Sequence, residues 1–229
     1  FHVNVPFWDQ WGFAPVLQKS YIGTLTFADL WTQHNEHRLL FPKIVMLILA
    51  RLTGWNISFE LAVNIFLGAG IFFVTWYLIR QLSGRLKIRN IHYLLPVTSI
   101  IIFSLTQWEN WLWGWQIQVF LNVLAGIITI TLLSAVSLSR KKLFGAVIFA
   151  IISTYSFSNG ILIWLIGLLI LLIRSRDQFK KNIWWIMTWI LAGMVTLFFY
   201  FLNFQTSGDQ YSFWYSVMHP VAYILYVLS

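Results

Sequence analysis

The chain alternates between apolar runs of about 20 residues and short polar breaks. This is neither the period-two pattern of a strand nor the one-sided stripe of a soluble helix. The runs cover 57–79, 91–106, 117–139, 143–173 and 183–203, and another begins near Pro220. Such runs match the ~30 Å hydrocarbon core of a bilayer, because a helix rises about 1.5 Å per residue. Residues 39–53 (LLFPKIVMLILARLT) are apolar but carry Lys43 and Arg51. As a helix they reach only about 22 Å. A short helix with two cations suits the membrane interface rather than a crossing. Residues 143–173 pose the opposite problem: one helix there would be about 46 Å long. The break Ser156-Phe157-Ser158-Asn159-Gly160 resolves it into a hairpin of two short spans.

The predicted fold is all-α: a polytopic transmembrane helical bundle with a large outer first loop containing interfacial helices. Residues 1–56 form that loop with the interfacial helix 39–53, residues 57–203 a six-span transmembrane module, and residues 204–229 an outer loop and the start of a further span. The first residue is Phe1 and the last apolar run stops at Ser229, so a longer protein with a span before Phe1 is expected.

Composition sharpens this reading. The chain is 59% hydrophobic and 10% charged, against about 25% charged in soluble domains. A transmembrane barrel would show ~10-residue alternating segments instead. The net charge of +8 does not point to nucleic acid, because the cations cluster between spans: Arg80, Arg85, Lys87 and Arg89; Arg140, Lys141 and Lys142; Arg174, Arg176, Lys180 and Lys181. Basic loops mark the cytoplasmic side, and two spans separate each neighbouring pair of clusters. Residues 1–56, 107–116, 156–160 and 204–219 then face the other side. With no cysteine, disulfides and thiolate metal sites are excluded.

Polar chemistry concentrates on that outer side, where Asp9, Asp29, Glu36, Glu109, Asp209, His2, His34, His37 and His219 fall. Ionisable groups in a chain so poor in charge are site candidates. Asp9 lies in PFWDQWGF between Trp8 and Trp11, whose rings would desolvate it and suit a general base; an aromatic belt with an incidental acid is the plainer reading. In QHNEHRLLFPK, Glu36, His37, Arg38 and Lys43 open the interfacial helix. Cations there hold a lipid phosphate or snorkel to headgroups. His34 and His37 supply two metal-ligand types without a clear third. The stretch QWENWLWGWQ sets Glu109 and Asn110 among Trp108, Trp111, Trp113 and Trp115, a platform for a sugar ring or again an interfacial belt. Asn159 and Gly160 cap the following helix or line the same cavity.

The stretch HRLLFPKIVMLILARLTGWNISFELAVNIFLGAGIFFVTWYLIRQLSG resembles the early part of the GT-C membrane glycosyltransferases, the polyprenyl-phosphate-sugar-dependent enzymes. Their pattern is an outer loop with an acid, then a His- or Lys-Pro-Pro-Leu start to an interfacial helix, then a span closing on Tyr-Leu-Leu-x-Arg-x-Leu-x-Gly. The closing match here is Tyr77-Leu78-Ile79-Arg80-Gln81-Leu82-Ser83-Gly84; Arg38 takes the place of the His or Lys, and Leu39 and Leu40 replace the two prolines. The resemblance implies an inverting transferase moving a sugar from a polyprenyl-phosphate donor to a glycan, lipid or protein acceptor on the non-cytoplasmic face. Asp9 resembles the acid of the first outer loop, the base, and Glu109 the second acid. Arg38, Lys43, His37, Glu36, Trp8, Trp11, Trp108, Trp111, Asn110 and Asn159 become substrate-binding candidates. A divalent cation, Mg or Mn, would fall to Asp9 and Glu109. Two other readings stay open: a transporter or flippase for a lipid-linked glycan, and a non-catalytic membrane subunit. Transporters place their charges at the bilayer midplane in repeated halves.

Overall fold

The computed structural model describes residues 4–86, 91–176 and 178–205. His2, Lys87, Arg89, Asp177, Asp209, His219 and the run near Pro220 lie outside the described residues. Ten α-helices follow in order: α1 (Ala14–Ile22), α2 (Phe27–Trp31), α3 (Leu40–Thr53), α4 (Ile57–Leu86), α5 (Leu94–Ile102), α6 (Trp108–Leu112), α7 (Ile117–Leu133), α8 (Arg140–Thr154), α9 (Leu162–Ser175) and α10 (Phe179–Phe201). Short 3-10 turns join several of them, and the described residues form no sheet. Five segments are long and apolar enough to cross a membrane: Ile57–Gly84, Ile91–Leu112, Gly114–Leu133, Ser158–Ser175 and Asn182–Phe201. The protein is an integral membrane protein built as an all-α bundle. α8 adds a shorter apolar helix of 15 residues that opens on three cations.

The elements depart from the expected boundaries in instructive ways. α4 runs on to Leu86, 30 residues in all, since a single Gly84 costs a helix only about 1 kcal/mol. The run 91–106 is not one straight helix. α5 ends at Ile102, and Ser104 restarts the chain by accepting from the Thr106 N–H at 3.3 Å. The break 156–160 holds as expected: a 3-10 turn at Ser158–Ile161 separates α8 from α9. Gly160 belongs to that turn because a Cβ there would collide with the Ser153 carbonyl.

α7 packs on α4 and α8, and α9 packs on α10. Ala146, Ala150, Trp164, Leu171 and Trp189 are buried in the seam between α7, α8, α9 and α10. Small residues let the backbones approach, as membrane packing requires; a side chain at Gly167 would strike the Trp189 ring. The indoles also hydrogen-bond, Trp189 Nε1 to the Trp164 carbonyl and Trp164 Nε1 to Thr154 Oγ1, each at 2.9 Å.

Contacts between helix ends sort the loops into two groups. At one end, Gln81 on α4 donates to the Ser134 carbonyl at 3.0 Å, and Arg174 on α9 donates to the carbonyls of Ala135 and Val136 at 2.6 and 2.9 Å. At the other, Asn64 on α4 donates to the Trp113 carbonyl at 3.0 Å, Tyr155 Oη to the Thr196 carbonyl at 2.8 Å, and Tyr200 Oη to the Glu36 carbonyl at 2.7 Å. The second end is capped by the first loop and α3. Phe13, Val16, Leu17, Leu39, Met46 and Ala50 bury themselves there with Trp115 and Ile117.

Candidate functional site

The capped end gathers most of the sequence candidates, and its organising residue is one outside that set. Glu60, in the first turn of α4, is 1% exposed. Its Oε2 accepts from Gln10 Nε2 at 2.7 Å and its Oε1 from Trp55 Nε1 at 3.2 Å. Gln10 is equally buried, and its own Oε1 accepts from the Phe7 N–H at 2.9 Å. Gly114 lies against both side chains: a Cβ there would overlap Glu60 and Gln10. The sequence did hold a signal. Glu60 is an acid within a membrane-length apolar run, and such a group is retained only when satisfied or functional.

This clamp fixes the turn Trp8–Phe13 that carries Asp9. Trp8 takes a φ of 48°, a left-handed conformation that a bulky residue adopts only when its surroundings impose it. Trp113 does so from the other side: it stacks on Trp8 at 5.9 Å and 16°, and its Nε1 donates to the Phe7 carbonyl at 3.1 Å. The two loops expected to share a site are thus tied together. Phe7, Trp8, Trp108, Glu109, Leu112 and Trp113 line a cleft of about 310 Å³.

The tryptophans of the second loop divide. Trp108, 57% exposed, lines the cleft with Trp113. Trp111 instead stacks on Phe103 at 5.8 Å and packs on Phe120 at 4.6 Å. It fills the space above Gly68, so it is a packing residue of the bundle and not part of a ligand platform. Trp115 is 3% exposed and belongs to the core beneath the first loop. Trp11 stays exposed and meets Trp55 edge-on at 6.2 Å. Asn110 offers its carbonyl to Asn64 Nδ2 at 3.4 Å. Asn159 is exposed and makes no side-chain cap, so the expected capping role falls away.

Asp9 does not line the aromatic cleft. Its Oδ2 lies 3.9 Å from His34 Nε2, a nitrogen with no hydrogen-bond partner within normal reach. His34 and His37 exchange backbone hydrogen bonds of 2.9 and 3.0 Å across a tight turn. Asn35 supplies that turn's left-handed residue, with φ 49°. Burial pushes both imidazoles below their ordinary pKa, against the pull of Asp9 on His34 and of Glu36 on His37. The His37 ring stacks on Phe157 at 4.4 Å.

His34 also lines a second, polar cleft of about 170 Å³ with Lys19, Asp29 and Lys43. Lys43 is 6% exposed. Its Nζ donates to Thr32 at 2.7 Å to the carbonyl and 3.2 Å to Oγ1, and burial holds its pKa down to about 8. Lys19 pairs with Asp29, whose carboxyl is held at about 2 by that bond and by Thr26.

Arg38 serves a different purpose from the one its sequence position suggests. It is 4% exposed; Nε donates to the Tyr200 carbonyl at 2.5 Å, Nη1 to the Trp31 carbonyl at 3.1 Å, and Nη2 to the Leu202 carbonyl. Its guanidinium sits 5.2 Å from the Trp31 ring centre. This fan ties the start of α3 to the end of α10, so Arg38 acts here as a clamp rather than as an open phosphate ligand. Glu36 lies beside it, its carbonyl accepting from Tyr200.

Among the described residues no three His, Cys, Asp or Glu side chains gather in a way that would hold a metal ion.

The chain matches no protein-family model, no curated protein and no solved structure. What the fold defines is therefore the class alone: an integral membrane helical bundle whose one end carries a folded, aromatic- and acid-bearing cap.

Proposed function

We propose that the protein is a membrane glycosyltransferase that moves a sugar from a polyprenyl-phosphate donor to an acceptor hydroxyl at the capped end, taken as the non-cytoplasmic face. The observation that carries this reading is the joining of two loops about a hundred residues apart in sequence. Trp113 holds the Asp9 turn through Phe7 and Trp8, so the loops that carry Asp9 and Glu109 are packed against each other. Aromatic faces beside a carboxylate suit a sugar ring, which offers C–H groups to the rings and hydroxyls to the acid. Cleft volumes of this order are typical of small-ligand sites.

In the proposed reaction Asp9 takes the acceptor hydroxyl's proton as that oxygen attacks the anomeric carbon. The carbon–oxygen bond to the phosphate breaks, and the polyprenyl phosphate leaves with the electron pair. One displacement inverts the anomeric centre. His34 beside Asp9 is held neutral by burial, which leaves it able to relay or orient that proton. The polar cleft lined by Lys19, Asp29, His34 and Lys43 is the candidate seat for the departing phosphate, with Lys19 partly neutralised by Asp29. Arg38 supports it indirectly, by fixing the start of α3, which carries Lys43.

The test uses membranes containing the protein, a polyprenyl-phosphate sugar and a cell-envelope acceptor fraction. Asp9→Asn should lower turnover ~10²–10⁴-fold, the usual scale of general-base catalysis, with donor binding little changed. Glu109→Gln should chiefly raise the acceptor concentration needed. Transfer that proceeds equally well in Asp9→Asn would remove the base assignment. Movement of the lipid across vesicles with the sugar–phosphate bond intact would replace the enzyme by a flippase.

A further inference from the structure

α8 and α10 touch, but leave a gap between them toward the opposite end of the bundle. Between them runs a groove of about 640 Å³ lined by Arg140, Leu143, Phe144 and Val147 on α8 and by Trp184, Trp185, Thr188 and Ala192 on α10. The α8 residues recur at i, i+3, i+4 and i+7, one face of a helix. The α10 residues span nine positions, from Trp184 to Ala192, about 12 Å of helix. Apolar side chains make up most of the walls, Phe144 and Trp184 are largely exposed, and Arg140 stands at the mouth.

Among the described residues, the starts of the two helices beside that mouth carry only cations. The first turn of α8 carries Arg140, Lys141 and Lys142 and no acid; the first turn of α10 carries Lys180 and no acid. A helix N-terminus already bears a partial positive charge, so cations there are repelled unless an anion sits among them. Of these, Lys142 donates to the Ser137 carbonyl at 2.8 Å. All five acids among the described residues, Asp9, Asp29, Glu36, Glu60 and Glu109, belong to the first 56 residues, the start of α4 or the 107–116 segment, which form the capped end. Asp177, the one acid near this end in sequence, lies outside the described residues.

We propose that this groove binds one anionic phospholipid, its phosphate at Arg140, with Lys141 and Lys180 on the same two helix N-termini adding to the field, and one acyl chain lying along Leu143, Val147, Thr188 and Ala192. The chemistry of the lining decides the occupant. A neutral lipid would satisfy the apolar walls and leave the cations unmatched, and a soluble anion would satisfy the cations and leave the walls bare. Basic pockets between membrane helices recognise acidic headgroups in this way, each nearby cation contributing about five-fold in affinity. The indole of Trp184 at the rim suits the headgroup boundary. This site does not depend on the proposed transferase activity.

The probe is a phosphatidylglycerol with a photoactivatable acyl chain, compared with a phosphatidylcholine bearing the same chains, in nanodiscs holding the whole protein. Crosslinks should fall on residues 140–147 and 184–192, and phosphatidylglycerol should be preferred at least ~10-fold over phosphatidylcholine. Arg140→Gln should cut that preference ~5-fold, in line with one cation's contribution, and Arg51→Gln at the other end should not change it. Raising the salt concentration in the unaltered protein should erode the preference, which keeps the test informative should Arg140→Gln fail to fold. Equal labelling by the two lipids, or crosslinks spread evenly over the bundle surface, would overturn the proposal and leave only an annulus of bulk lipid.

Discussion

Removing the carboxyl of Glu60 should loosen the cap that carries Asp9. The Glu60 oxygens satisfy two buried donors, Gln10 Nε2 and Trp55 Nε1. Leaving a buried donor unpaired costs about 1–3 kcal/mol, so Glu60→Ala should destabilise by about 2–6 kcal/mol before any cavity cost is added. Glu60→Gln keeps one carbonyl oxygen and turns an NH2 toward the second donor, so it should lose about half as much. Gln10→Ala breaks the same bond from the other side and also frees the Phe7 N–H. Because both act on one contact, the double variant Glu60→Ala, Gln10→Ala should be less damaging than the sum, with a coupling of at least about 0.5 kcal/mol. The assay is reversible unfolding in mixed micelles, followed by tryptophan emission and by protease access to the first loop. Additive losses, or Glu60→Gln equal in damage to Glu60→Ala, would refute the claim that this carboxyl holds the Asp9 turn through Gln10.

Two further outcomes follow from the geometry. Lys43 has a folded pKa of about 8 against an ordinary 10.5, so between those values the unfolded chain binds more protons and stability should rise as pH climbs from about 8 to 10.5; unfolding measured across that window should lose this slope in Lys43→Met, and an unchanged slope would assign it elsewhere. Single cysteines at Thr24 and Asn159, both exposed at the capped end, should react with an impermeant thiol reagent from the side opposite to cysteines at Ser137 and Ser139; labelling of all four from one side would contradict the two-ended sorting of the loops.

Features that depend on local transfer to the bilayer are legible in the amino-acid order alone. Run length and the placement of Arg and Lys fixed the membrane class and the all-α fold, because the cost of burying a residue in lipid is set largely by that residue and its near neighbours. The same local logic located the break at Ser156–Gly160. The tertiary structure alone decided which polar and aromatic side chains do what at the capped end. Trp108 and Trp111 are equally plausible ligand faces in sequence, yet one opens on a cleft and the other fills the space over Gly68. Arg38 looks like a free cation at a helix start, until the carbonyl of Tyr200, 162 positions away, closes on it. Gln10 and Glu60 meet across 50 positions, with only an acid in an apolar run to hint at it. Such pairings arise because buried polar groups must find partners wherever the chain's docking brings them, and that docking is a property of the whole cap rather than of any window of sequence.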